Sequence, residues 1–233
     1  VESRLLVERL LASELPVASV LTEERFVDAI LPLVPAAAPV YVISRALIQQ
    51  LTGFRFHRGI LACGRRPPNP DLRQQLAISP TRHLVTVCVG IQDAENLGGI
   101  LRSSAAFGVA AVLLGPDCAD PFSRRVARTS MGANLRLPII ESPDLLSDLT
   151  TLQKDFGTEL VASVLDDTAC PLTEIRIRHK VALLFGNEGH GLPPSWIERC
   201  DVRLTVPIAT GVDSLNVSVA AGIILNHFTA VNR

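Results

Sequence analysis

Aromatic residues make up only 4% of this 233-residue chain, so its core must be assembled from Val, Leu, Ile and Ala. No apolar run approaches the roughly 20 residues that a membrane-crossing helix needs, and such a span is excluded. The five cysteines (Cys63, Cys88, Cys118, Cys170 and Cys200) lie far apart and form no CxxC pair. That spacing disfavours a zinc centre or a disulfide framework and points to buried, reduced thiols in a cytoplasmic protein. Charge of one sign is also missing: the net charge of −1 argues against bulk electrostatic attraction to nucleic acid. No internal repeat or low-complexity tract is present. The opening VESRLLVERLL has neither an initiator Met nor a signal-peptide layout, which reads as a trimmed start.

What is present divides the chain in two. Residues 1–65 read as a small α/β unit. Helical patterns over 2–13, 23–31 and 45–51 alternate with the strand-like runs VASVL (17–21), PVYVIS (39–44) and HRGILAC (57–63). Four prolines and several charges then interrupt any periodicity over residues 66–80, the signature of a linker. From residue 81 to 233 short apolar runs recur at 84–90, 110–115, 159–165, 181–185 and 203–208. Helical patterns separate them at 97–107, 120–129, 143–156 and 214–230. Wholly apolar strands alternating with helices predict a parallel sheet covered on both faces.

In such a sheet the loops leaving the carboxyl ends of the strands gather on one side, where ligands bind. Three polar, glycine-bearing segments follow strands here. The first, GIQDAENLGGILRSSAAFGV (90–109), offers Asn96 as a cap for a helix starting at Leu97. Gly98 and Gly99 weaken that helix by about 1 kcal/mol each relative to Ala, so another group is expected to approach closely there. Arg102 sits in an otherwise small and apolar helix; it either snorkels to the surface or serves the ligand edge.

The second segment, FGNEGHGLP (185–193), is not a dinucleotide fingerprint, because its glycines fall at 186, 189 and 191, and it lacks the Lys-Ser/Thr of a P-loop. Its Glu188 would repel phosphate, so a ligand without phosphate fits better. Pro193 and Pro194 suit the first turn of a short helix. The third, VPIATGVDSLNVSVAAGIILNHF (206–228), has Asp213 or Ser214 as a cap for a long helix that is apolar almost all round, which implies burial, as in a subunit interface. Ser214 and Asn216 fall at its start. With no metal-ligating residues spaced near them, His190 and His227 are read as structural, and no metal is expected. Two arginine groups stand out: Arg55, His57, Arg58, Arg65, Arg66 and Arg73, and then Arg124, Arg125, Arg128 and Arg136. Each is either a solvated face or a contact for RNA phosphate.

Taken in order, three motifs make the second part resemble the TrmH (SpoU) family of SPOUT-class RNA 2′-O-ribose methyltransferases. They are N-x-G-x-x-x-R at Asn96–Arg102, G-x-E-G-x-G at Gly186–Gly191, and P-x-x-x-x-x-x-S-L-N-x-S from Pro207 to Ser218. RTSMGANLRLPI (128–139) is similar to the family's S-x-G-A segment, and the resemblance covers residues 83–231. HRGILA (57–62) is similar to the ribosomal-protein-like RNA-binding domain of many members, although Arg58 stands where Gln is more usual.

The resemblance implies a C-terminal parallel-sheet domain with a deep trefoil knot, beside a small N-terminal α/β RNA-binding domain. It also implies a homodimer and S-adenosylmethionine held by Gly186, Val206, Ile208 and Leu215. The reaction it implies is methyl transfer to a ribose 2′-hydroxyl of structured RNA, ribosomal in preference to transfer RNA. Arg102, Asn96, Glu188, Ser214 and Asn216 would form the catalytic group, with Glu188 facing Arg102. Arg58, Arg65, Arg66, Arg124 and Arg128 would contact RNA. Family accounts make the arginine a base, yet deprotonating an arginine at pH 7 costs about 7 kcal/mol. An orienting and charge-stabilising role is therefore preferred. The competing readings are a non-catalytic RNA-binding or assembly factor and a base methyltransferase.

Overall fold

The short apolar runs become strands wherever turn residues bound them. A computed structural model describes residues 1–52, 58–79, 81–176 and 178–230. Arg55 and His57, and with them the start of the strand expected over 57–63, lie outside the described residues. The chain divides into two compact units, Val1–Pro68 and Asn69–Arg233.

In the first unit, helix α1 (Arg4–Leu11) buries Leu6, Val7 and Leu10 along one stripe. Strand β1 (Val17–Thr22) lies between β2 (Val40–Val42), its parallel neighbour, and β3 (Ile60–Gly64), its antiparallel one. The continuous helix expected over 23–31 is broken instead. A 3-10 turn at Glu24–Phe26 leads into the single turn α2 (Val27–Ile30), and a second 3-10 turn follows at Leu31–Leu33. Pro32 cannot donate the N–H that would extend α2. Helix α3 (Arg45–Thr52) follows β2.

The second unit begins at Asn69. The stretch expected as a linker holds helix α4 (Leu72–Ala77), capped by Asp71, with Leu72 and Leu76 buried one turn apart. Asn69 exchanges two hydrogen bonds of 2.9 Å with the backbone of Glu141, prolonging the edge of the main sheet as an added strand would. That sheet is built from β4 (His83–Cys88), β5 (Ala111–Leu114), β6 (Ile139–Glu141), β7 (Glu159–Ser163), β8 (Cys170–Pro171), β9 (Lys180–Phe185) and β10 (Val202–Thr205). The order is β6-β5-β4-β9-β7-β10-β8, and every neighbouring pair is parallel.

Alternation along each strand divides the core between the two faces. From β9, Val181, Leu183 and Phe185 join Leu97, Ile100 and Leu101 of α5 (Ala94–Ala106), Val126 of α6 (Arg124–Thr129), and Ile224, Leu225 and Phe228 of α9 (Val217–Ala230). Ala182 and Leu184 face the other way, against α4 and against Leu145, Leu149 and Leu152 of α7 (Leu145–Phe156). Each fully buried Leu or Ile contributes about 1.5–3 kcal/mol, so an aliphatic core compensates for the scarce aromatics. Among the described residues no helix is long and apolar enough to cross a membrane.

Candidate active site

The site is built from the carboxyl ends of four strands. After β4 the chain turns at Gly90 (φ +66°) and enters α5, whose cap is Asp93 and not Asn96: its carboxylate accepts from Glu95 N at 2.7 Å. Asn96 lies inside the first turn, buried. Gly98 and Gly99 are close-approach positions. A Cβ on Gly98 would sit 2.6 Å from Thr129 Cβ, and one on Gly99 would sit 2.8 Å from Ser218 Cβ. The two glycines thus let α6 and the start of α9 press against α5.

After β9 the chain doubles back. Asn187 and Gly191 exchange backbone hydrogen bonds of 3.0 and 2.9 Å. A Cβ on Gly186 would fall 2.2 Å from backbone atoms of Gly191 and Leu192, so only glycine closes this fold. The Asn187 side chain holds the loop from within. Its Oδ1 accepts from Gly189 N (2.9 Å) and His190 N (3.2 Å), and its Nδ2 donates to Gly90 O at 2.8 Å. His190 lies at this loop with its ring against Asn187. The short helix α8 (Pro194–Ile197) starts at Pro194, as the prolines predicted.

Within the chain Glu188 meets the opening of α5. Its carboxylate accepts from Asp93 N (3.2 Å), Gln92 N (3.4 Å) and the Asn96 amide (3.1 Å), and it makes no ion pair with Arg102 among the described residues. The acid therefore neutralises the N–H groups that open α5, where helix termini favour negative charge. Asn96 Oδ1 in turn accepts from Asn216 Nδ2 at 2.8 Å. Asn216 Oδ1 receives Ser218 N (2.9 Å), Ser218 Oγ (2.7 Å) and Val219 N (3.4 Å). Asn216, rather than Asp213 or Ser214, is thus the cap of α9, which starts at Val217. One chain of hydrogen bonds, Glu188–Asn96–Asn216, ties the three segments together.

These loops wall a cleft of about 770 Å³, within the range of small-molecule sites. Gly186, Val206, Ile208 and Leu215 line it, as do Glu188, Ser214 and Asn216. Asn96 stands behind the wall. Arg102 is exposed on α5 outside the lining, with no hydrogen bond or ion pair among the described residues. Arg58, Arg65 and Arg66 are exposed in the first unit, and Arg124 and Arg128 are exposed on α6 in the second. Beneath the loops, burial pushes the Cys88 thiol well up, helped by Cys118 and Glu188 nearby, and burial likewise raises Cys118. Both stay protonated and unsuited to nucleophilic work. Among the described residues no group of His, Cys, Asp and Glu could hold a metal ion.

Asn187, Asp93 and an ion pair in the cleft, Asp166–Arg203 (2.8 Å), were not among the residues expected from the sequence. An Asn between two turn glycines is itself a turn signal and could have marked Asn187. Nothing local joins Asp166 to Arg203.

A parallel α/β sheet with a ligand cleft at its carboxyl edge, bounded by three tied loops, defines a small-molecule-binding α/β protein. Residues 83–226 match the SpoU rRNA methylase family, and the chain belongs to that family. It is 39% identical over 226 residues to an uncharacterized tRNA/rRNA methyltransferase of Mycobacterium bovis, covering 95% of this chain and 77% of that one. It is 31% identical over 195 residues to the 23S rRNA (guanosine-2′-O-)-methyltransferase RlmB of Acinetobacter baylyi, covering 82% and 78%. In fold it is similar to an AdoMet-bound rRNA methyltransferase of Sinorhizobium meliloti. There the TM-score is 0.85 at 24% identity, over 99% of this chain and 86% of that one.

Proposed function

We propose that the protein transfers a methyl group from S-adenosylmethionine to a ribose 2′-hydroxyl in structured RNA, ribosomal in preference to transfer RNA. The observation that carries this reading is the Glu188–Asn96–Asn216 chain, which gathers all three family motifs around one cleft. The donor set suits the cofactor. Phe185, Val206, Ile208 and Leu215 offer apolar surface for a purine, and Glu188 and Asp213 offer negative charge to a cationic sulfonium. Lysine, the usual point-charge partner of phosphate, is absent from the lining.

When bound, S-adenosylmethionine supplies an electrophilic methyl group. The chain's task is to position it and to handle the hydroxyl proton and the charge on oxygen. Gly186, Val206, Ile208 and Leu215 would hold the cofactor, and Ser214 and Asn216 would present hydrogen-bonding groups to the ribose. Glu188 and Asn96 act through the loops: they fix the start of α5 against the start of α9, and so set where α5 carries Arg102. Arg102, free of partners among the described residues, would orient a substrate phosphate and stabilise developing charge on the 2′-oxygen.

The same reading includes a trefoil knot in the second unit, against the general rarity of threaded chains. It also includes a homodimer through that unit, which would cover the exposed Val219 and Ile223 of α9 and complete each site with the partner's Arg102. The first unit would bind RNA with Arg58, Arg65 and Arg66, and the second would add Arg124 and Arg128. Such an enzyme works in the cytoplasm.

Incubation with methyl-labelled S-adenosylmethionine and total RNA tests the reading. Label recovered as 2′-O-methylnucleoside after nuclease digestion is expected, and Arg102→Ala should abolish it while cofactor binding persists. Label on a base would refute the ribose assignment. RNA binding without label would favour an assembly factor.

A further inference from the structure

We propose that Arg203 is the residue that reads the carboxylate of the cofactor's amino-acid end, with Asp166 and Thr168 holding its guanidinium in place. This deepens the S-adenosylmethionine reading and rests on it. Among the described residues Arg203 is the one Arg or Lys in the lining of the cleft, which also carries the carboxylates of Asp166, Glu188 and Asp213. S-adenosylmethionine carries the complementary set: two cations, the sulfonium and the ammonium, and a single carboxylate. A lone guanidinium among acids is where that carboxylate gains most, and a guanidinium pairs with a carboxylate through two parallel hydrogen bonds.

The backbone delivers Arg203 to the cleft. It lies in β10, paired in register with Ala162 of β7, and its neighbour Leu204 is fully buried. Strand alternation therefore turns Arg203 and Thr205 to the face opposite Leu204, and both line the cleft together with Val206. The guanidinium is held on one side. Nη1 donates to Asp166 Oδ2 at 2.8 Å and Nη2 donates to Thr168 Oγ1 at 3.4 Å. Asp166 Oδ1 is taken up by the backbone N (2.8 Å) and hydroxyl (2.7 Å) of Thr168. Those Thr168 bonds, with Arg203 a lesser cause, hold the Asp166 carboxyl below its ordinary range, so it stays ionised. Arg203 has N–H groups beyond the two engaged, and its side chain is 48% exposed. An exposed ion pair of this kind contributes little to stability, so its place in the cleft is better accounted for by a ligand.

The test is calorimetric binding to the full chain with two ligands. S-adenosylhomocysteine keeps the amino-acid end. 5′-Methylthioadenosine keeps the adenosine and the thioether but lacks that end. Arg203→Gln is expected to weaken S-adenosylhomocysteine about 10- to 100-fold, the cost of one charge-assisted pair, with 5′-methylthioadenosine unchanged. Arg203→Lys should recover part of the loss. Asp166→Asn, which frees the guanidinium, should give a smaller loss for S-adenosylhomocysteine alone. Unchanged 5′-methylthioadenosine binding also serves as the check that each variant is folded. Equal weakening of both ligands, or of neither, overturns the proposal. If the wild-type chain binds neither ligand, the S-adenosylmethionine reading itself fails.

Discussion

The three glycines of the loop after β9 look alike in the sequence and should respond very differently to a single methyl group. At Gly186 a Cβ would lie 2.2 Å from Gly191 C and Leu192 N and 2.5 Å from Gly191 O, all backbone. No side chain can swing aside, so the fold-back must open. Opening it forfeits the two Asn187–Gly191 hydrogen bonds, at about 1 kcal/mol each, and incurs about 1–3 kcal/mol of overpacking in whatever arrangement remains. Gly186→Ala is therefore expected to cost about 3–5 kcal/mol, divided between folding stability and affinity for S-adenosylhomocysteine. At Gly191 nothing lies within 4 Å, but φ is +67°, so Gly191→Ala should cost only about 1–2 kcal/mol of backbone strain. At Gly189 the nearest atom is Asn187 Oδ1, at an ordinary 3.5 Å, and φ is not positive; Gly189→Ala should stay within about 0.5 kcal/mol. Thermal unfolding and calorimetric binding measured on the three variants give the ranking directly. Gly186→Ala and Gly189→Ala behaving alike in both assays would refute the reasoning.

Asn96→Asp keeps the acceptor for Asn216 but sets a second carboxylate where the amide met Glu188 at 3.1 Å. It should lower stability at pH 7 by about 1.5–3 kcal/mol and recover toward pH 5; a deficit that does not depend on pH would contradict this. Burial lowers the pKa of His83 from its ordinary 6.5, opposed by the Ser79 carbonyl and reinforced by Lys180. The unfolded chain then takes up a proton at higher pH than the folded one, so stability should fall as pH drops below about 6.5. His83→Gln should flatten that slope in urea titrations at pH 7 and pH 5, and equal slopes would remove His83 as the cause. A thiol reagent on the native protein should label exposed Cys63 first. Cys200, pushed up to about 12 by burial and Asp201, and buried Cys88 should react only after unfolding. Mass mapping that finds Cys88 labelled alongside Cys63 would count against the packing described.

The apolar runs at 84–90, 110–115 and 181–185 were legible as strands because a strand buried on both faces must be apolar throughout, and those at 159–165 and 203–208 because their buried positions, among them Leu160, Val161 and Leu204, are apolar. Gly98 and Gly99 were legible as close-approach points for the same kind of reason: a helix tolerates paired glycines where backbone or side chains must meet. The expected linker hid α4, because prolines at 67, 68, 70 and 80 mask a turn and a half of helix whose stability comes from burying Leu72 and Leu76. β8 is two residues long and carries no periodicity at all. The caps were misplaced within the right segments. Asp93, Asn96, Asp213, Ser214 and Asn216 are all capping types, and which of them caps depends on what arrives from elsewhere.

The sequence by itself determined that this chain forms a parallel α/β sheet, that three polar loops share its carboxyl edge, and that the loop at 186–191 carries neither the dinucleotide nor the P-loop fingerprint. Periodicity, turn chemistry and charge suffice for those conclusions, because each acts over a few neighbouring residues. Only the tertiary structure decided that Glu188 meets the opening of α5, that Asn96 and Asn216 grip one another, and that Arg203 stands in the cleft with Asp166. Those partners lie 92, 120 and 37 residues apart for Glu188–Asn96, Asn96–Asn216 and Asp166–Arg203. A hydrogen bond across such a separation leaves no local trace, because its geometry is set by how the strands stack and not by what adjoins them in the chain.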